Sequence, residues 1–280
     1  MSFEETNNDI ESSQDSKPKK KPNRLLLALL GFAFLVVLGG AIGYWVNLQS
    51  ISEPPPVDDP RPQYGVPRPN ANTTSQPEPV KVDNPIDFGA LQAINPDVHA
   101  WLQVPGTYID YPVCQSLQDE TFYLDHDLEG NYYGPGTLYT ELMNSRTFSD
   151  PVTLIYGHAG YPDIMFTTLH YFNDTEFFNT HEYFTIYIPG HILTYKVVSA
   201  YVYDARHILN THGLFLDKKV LAEYYNYVVN PDSMSKNIRD GVTLKPDDRI
   251  VQLSTCMENL MLSGNRYIVT GLLVDDQLTY

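Results

Sequence analysis

Cysteine is nearly absent from this chain of 280 residues: there are two, Cys114 and Cys256. Two thiols can form at most one disulfide, so this is no disulfide-stapled scaffold. Positive charge is also scarce. Eighteen Lys and Arg stand against 34 Asp and Glu, a formal net charge of −16 at pH 7, which argues against nucleic acid or anionic lipid as a partner. An acidic surface suits a cationic or amine-bearing partner, and equally plain solubility. Several reactive motifs are missing: there is no Gly-rich phosphate loop, no His-Glu-x-x-His, no Cys-x-x-Cys pair and no Gly-x-Ser-x-Gly elbow. Asp125-His126-Asp127 is the one metal-like cluster. Its side chains alternate along the chain and fall short of the four ligands of a zinc site, so no metal and no cofactor are expected.

Long apolar runs are absent too, with one exception. Residues 25–46 carry no charged side chain, enough length to cross a bilayer as a helix. Lys17-Pro18-Lys19-Lys20-Lys21-Pro22-Asn23-Arg24 precedes the run and no comparable cluster follows. The positive-inside rule puts residues 1–24 in the cytoplasm and the remainder outside the cell. A cleaved signal peptide is the rival reading, but its apolar region is shorter and ends at small residues. Here the run ends near Tyr44-Trp45, an interfacial pair. Residues 1–24 hold five charges of each sign, so the whole net charge belongs to the exterior part.

Residues 47–83 are rich in proline, without periodicity, and read as an extended tether. A globular domain is expected over residues 84–280. Phe88, Leu91 and Ile94 recur at helical spacing after Asn84-Pro85. Strands are expected around 101–104, 109–113, 137–139, 152–156, 183–188, 193–203, 249–253 and 267–274, rich in β-branched and aromatic residues. Val220, Leu221, Tyr224, Tyr225 and Val228 form one face of a late helix over 217–229. The fold class is α+β, mostly β: a single domain around a β-barrel, with one helix before it and one inserted late.

Cys256 follows the alternating strand Val251-Gln252-Leu253-Ser254-Thr255, and Arg266 opens the next strand ten residues later. A thiol at a strand end with a cation one hairpin away is a candidate nucleophile. Cys114 sits in the apolar stretch Tyr111-Pro112-Val113 and reads as core. A Cys114–Cys256 disulfide would consume the nucleophile. Of eight histidines, His158 stands out in Tyr156-Gly157-His158-Ala159-Gly160 at another strand end, where a rigid scaffold presents reactive groups. The rest read as structural: His99 in the helix-to-strand turn, His126 between aspartates, His170 and His181 in a polar loop, His191 in a hairpin turn, His207 and His212 before the late helix.

Leu253-Ser254-Thr255-Cys256, Arg266 after nine intervening residues, and Tyr156-Gly157-His158 upstream together resemble a sortase, and most closely a class B sortase. The resemblance spans about residues 84–275. It takes in Ile94-Asn95-Pro96-Asp97, Trp101-Leu102, Pro105-Gly106-Thr107, Tyr111-Pro112-Val113, Phe122-Tyr123-Leu124, Gly134 to Gly136, and Met165-Phe166 with Leu169. The late helix lies where class B sortases carry an extra one. Two departures stand out. Gln252 replaces the usual threonine, and Ala159-Gly160-Tyr161-Pro162-Asp163 follows His158 in place of Asn-Met. Both are expected to bear on which substrate is taken.

The resemblance implies a membrane-anchored cysteine transpeptidase with a sortase-type barrel. It would cleave the C-terminal sorting signal of secreted proteins after Thr, form a thioester on Cys256, and pass the acyl group to an amine. His158 would be the acid and base, and Arg266 the clamp for substrate and oxyanion, with a backbone N–H near Met257. Ser254, Thr255, Tyr156 and Met257 are the substrate-binding candidates. Alternation puts Ser254 on the Cys256 face and Thr255 on the other, while Tyr156 shares the His158 face. The acceptor is a peptidoglycan precursor or a pilin amine. The rivals are a pilin-polymerising sortase, a purely hydrolytic cysteine endopeptidase and a non-enzymatic surface-binding barrel.

Overall fold

The computed structural model describes residues 80–257 and 264–280. The transmembrane span expected at 25–46 and most of the tether lie outside them. Among the described residues no helix is long and apolar enough to cross a membrane.

The chain enters through α1 (Phe88–Ile94), capped by Asp87, whose carboxylate accepts from the Ala90 N–H. The helix begins later than Asn84-Pro85 suggested. Asn84 instead donates from its amide to the Ile188 carbonyl at 2.9 Å, tying the entry segment to the barrel. The strands follow: β1 (Val98–Gln103), β2 (Asp110–Cys114), β3 (Leu138–Thr140), β4 (Val152–Tyr156), β5 (Tyr183–Ile188), β6 (His191–Tyr203), β7 (Lys236–Ile238), β8 (Ile250–Cys256) and β9 (Arg266–Leu278). Their order is β5-β1-β2-β3-β4-β8-β9-β6-β7, and β5 also pairs with β6, which closes the barrel. The 13-residue β6 makes closure possible. Its first half pairs with β5, its second half with β7, and most of its length with β9.

Alternation along the strands separates two apolar layers. Val251, Leu253, Tyr267 and Val269 point inward with Leu102, Ile155, Phe166, Phe184 and Tyr195 and fill the barrel. Ile250 and Ile268 point outward with Val152, Leu154, Val198 and Tyr201. That outer layer is covered by the late helix, whose Leu221, Tyr224, Tyr225 and Val228 are all buried. Burying such a side chain stabilises the fold by about 1.5–3 kcal/mol, so the helix is held by its stripe.

Two short helices precede the late one: α2 (Thr175–Thr180) and α3 (Ile208–Thr211). The late helix is α4 (Lys218–Val229), capped by Asp217. Six and four residues are too few to show a periodic face, which is why neither short helix was expected. The same reason corrects the polar loop expected around His170 and His181. That region is the 3-10 segment Thr167–Asn173 followed by α2, with Leu169, Tyr171, Phe172, Phe177 and Phe178 buried. His99 lies within β1 rather than in a turn. It is buried, and its ring nitrogens reach the Arg146 carbonyl at 3.1 Å and the Thr140 hydroxyl at 3.0 Å.

Candidate active site

β8 and β9 are antiparallel neighbours in continuous register, ending on the pair Cys256 and Arg266. The register delivers the guanidinium to the thiol: Arg266 Nη1 donates to Cys256 Sγ at 3.1 Å. A guanidinium does not give up its proton, so the sulfur sits beside a fixed positive charge. Cys256 is half-buried and free.

On its other side β8 pairs with β4, in parallel, with Tyr156 opposite Ser254. The pairing continues past the strand ends. The Gly157 N–H donates to the Ser254 carbonyl at 3.2 Å, and the Thr255 hydroxyl to the Gly157 carbonyl at 2.7 Å. His158 and Cys256 each lie two residues beyond that register pair, at the same end of the two neighbouring strands. Gly157 is required there. A Cβ on it would stand 2.4 Å from Leu138 and 2.8 Å from the Phe166 ring, so any side chain would push the His158 loop off the barrel. The loop is closed by the Phe166 N–H, which donates to the His158 carbonyl at 2.8 Å. Tyr161 sets its ring edge-on to the His158 imidazole at 6.2 Å.

The remaining candidates divide. Ser254 shares the outer face with Cys256 and is buried. Thr255 faces inward, buried, with its hydroxyl spent on Gly157. Met257 packs against the barrel core. The Tyr156 ring stacks on Tyr139 at 5.5 Å, and its hydroxyl donates to the buried carboxylate of Glu141. His207 Nε2 approaches the other carboxylate oxygen at 3.2 Å. Burial raises the Glu141 pKa against the pull of Tyr156 and His207. Burial also pushes the Tyr139 hydroxyl up to about 12, while the charge of Arg266 draws it down. A polar wall thus stands beside the thiol, and nothing in the local sequence around Glu141 announced it. Gln252, by contrast, sits in the interior. It is fully buried under α4, accepting from the Tyr224 hydroxyl at 2.6 Å and donating to Tyr201 and Thr270. The departure therefore places its amide in the packing between the helix and the barrel, where the expectation that it bears on the substrate finds no support.

No family model matches the chain. The X-ray structure of Clostridium perfringens sortase B is 30% identical, with a TM-score of 0.60. The match covers 68% of this chain and 100% of that one. The chain belongs to the sortase B family. A Streptococcus pyogenes class B sortase involved in pilus biogenesis is 32% identical with a TM-score of 0.58, over 68% of this chain and 98% of that one. The sortase B of Listeria monocytogenes is 29% identical over 187 residues, 66% of this chain and 72% of the relative. As a sortase B, the protein is a membrane-anchored cysteine transpeptidase that acts on substrates bearing a sorting signal.

Proposed function

We propose that Cys256 is the nucleophile, His158 the proton carrier and Arg266 the clamp of this transpeptidase. The observation that carries the reading is the 3.1 Å hydrogen bond from Arg266 to the Cys256 sulfur, at the same end of the two neighbouring strands as His158. Cys256 passes its proton to His158, and Sγ attacks the carbonyl carbon of the sorting-signal threonine. Arg266 and the Met257 N–H offset the charge on the oxyanion. The C–N bond breaks, His158 protonates the departing amine, and a thioester remains. An incoming amine attacks the thioester, His158 takes its proton, the C–S bond breaks, and His158 returns the proton to the sulfur to restore the thiol. Ser254 and Tyr156 border the acyl group on the same face.

The proposed topology sets residues 1–24 in the cytoplasm, 25–46 across the membrane, 47–83 as tether, and 84–280 outside the cell. The acceptor is then a cell-wall amine. A pilin amine is the second reading, favoured by the likeness to the streptococcal enzyme of pilus biogenesis.

The test is to incubate full-length protein in detergent with a library of Pro-x-Thr peptides, with and without an amine such as triglycine. Peptide–amine adducts are expected, and Cys256→Ala should lose them by more than about 1,000-fold. Hydrolysed peptide alone, under every amine tried, would make the protein an endopeptidase. Adducts persisting in Cys256→Ala would remove Cys256 from the chemistry.

A further inference from the structure

His170 is not part of the site described above, yet it touches it. Its Nε2 lies 3.1 Å from the carbonyl oxygen of Cys256, 86 residues away in the chain. A carbonyl can only accept, so Nε2 carries the proton. The imidazole also packs over Tyr267, the residue after Arg266, at 4.9 Å between ring centres. Leu169 and Phe172, on either side of it in the 3-10 segment, are fully buried and anchor the ring's position. Burial lowers the His170 pKa to about 4. At neutral pH the ring is therefore uncharged and unsuited to shuttle protons in place of His158.

We propose that His170 is a positioning residue that sets the plane of the Cys256–Met257 peptide and so aims the Met257 N–H at the oxyanion. The peptide is trans, and in a trans peptide the C=O and the N–H point in opposite directions. Holding the Cys256 carbonyl against the 3-10 segment therefore turns the Met257 N–H away from that segment. The brace is double. Phe166, at the start of the same segment, holds the His158 carbonyl at 2.8 Å, and His170 holds the Cys256 carbonyl at 3.1 Å. One rigid stretch of backbone thus references both reactive residues to each other. Oxyanion donors act by being fixed before the charge develops, and a small rotation of the peptide plane forfeits that advantage.

The inference rests on the transpeptidase reading, so its test must separate the two. His170→Phe keeps a ring on Tyr267 and removes the donor. His170→Gln places an amide N–H near the position of Nε2. Both are compared with the full-length wild-type protein on the Pro-x-Thr library with triglycine, and for alkylation of Cys256 by iodoacetamide, a reaction that needs no oxyanion hole. We expect His170→Phe to lose about 10- to 100-fold in kcat, with KM and the alkylation rate within about twofold. His170→Gln should regain most of the loss. Wild-type kcat in His170→Phe would overturn the positioning role alone. So would equal loss in the Phe and Gln variants, or parallel loss of alkylation, since each assigns the effect to ring packing. A wild-type protein that turns over no peptide would overturn the transpeptidase reading and this role with it.

Discussion

The two cysteines close two strands of similar setting, yet their surroundings have opposite consequences. Cys114 ends β2, which runs parallel to β3, and Cys256 ends β8, which runs parallel to β4. Around Cys114 the chain is sealed. The sulfur is fully buried among Val98, Tyr123, Leu91 and Phe122, and desolvation pushes its pKa up to about 12. Cys256, at the end of β8, is only half-buried, and its sulfur accepts from a guanidinium. A thiol becomes a nucleophile only as a thiolate, and burial suppresses that form at Cys114. A strand-end thiol is common to both. The guanidinium bonded to the sulfur from its direct register partner is what differs, and it makes Arg266 the residue to break.

Arg266→Ala should leave the barrel intact, because the side chain is half-exposed and lies at the end of the ladder. It should lower kcat/KM for sorting peptides by about 100- to 1,000-fold, the loss found when an oxyanion donor is removed. Arg266→Lys should recover part of it, keeping the charge without the planar fork. Circular dichroism checks the fold. A lost folded signal would mark Arg266 as structural and leave the contrast between the cysteines unexplained.

What could be read from the sequence follows the distance over which each feature is determined. Cys256 and Arg266 were legible because one hairpin carries both, and alternation places Cys256 and Ser254 on one face. The late helix was legible because Leu221, Tyr224, Tyr225 and Val228 repeat over two turns. The pairing of β1 with β5, about eighty residues apart, and the parallel pairing of β4 with β8, roughly a hundred apart, left no local trace, whereas the β5–β6 hairpin was marked by its Pro189-Gly190 turn. His170 was read as a polar loop residue for the same reason. Its partner is a backbone carbonyl 86 positions later, and no side-chain pattern encodes that. The buried contact of Tyr156 with Glu141 spans 15 residues but crosses between β4 and the end of β3, so it too depended on the sheet order.

The sealed region makes its own prediction in acid. His99 sits in β1 beside the Val98–Cys114 pair, buried, with its pKa lowered to about 4 by desolvation. Between about pH 6.5 and pH 4 the unfolded chain binds this proton and the folded chain does not. Stability therefore rises with pH across that window and falls as the medium is acidified. The lowered pKa corresponds to a loss on the order of 3 kcal/mol from pH 6.5 down to pH 4. His99→Asn, which cannot titrate, should flatten the slope of urea-unfolding stability against pH over this range. An unchanged slope would mean that the Cys114 region admits water and is less sealed than its geometry implies.

The smallest effect should come from Cys114 itself. Cys114→Ala removes one buried heavy atom from a closed cluster and opens no path to solvent. The expected cost is about 1 kcal/mol, comparable to deleting a single buried methyl group. Transpeptidation should be unaltered, because the Cys114 thiol is fully buried with Val98 and Tyr123 and has no place in the proposed chemistry. Iodoacetamide should label Cys256 rapidly in the native protein and Cys114 only after unfolding, so the variant should lose just the slow, denaturant-dependent label. A well-folded Cys114→Ala protein without activity would end the comparison. The sealed thiol would then take part in the chemistry, and burial and the guanidinium bonded to the sulfur would not be what separates the two cysteines.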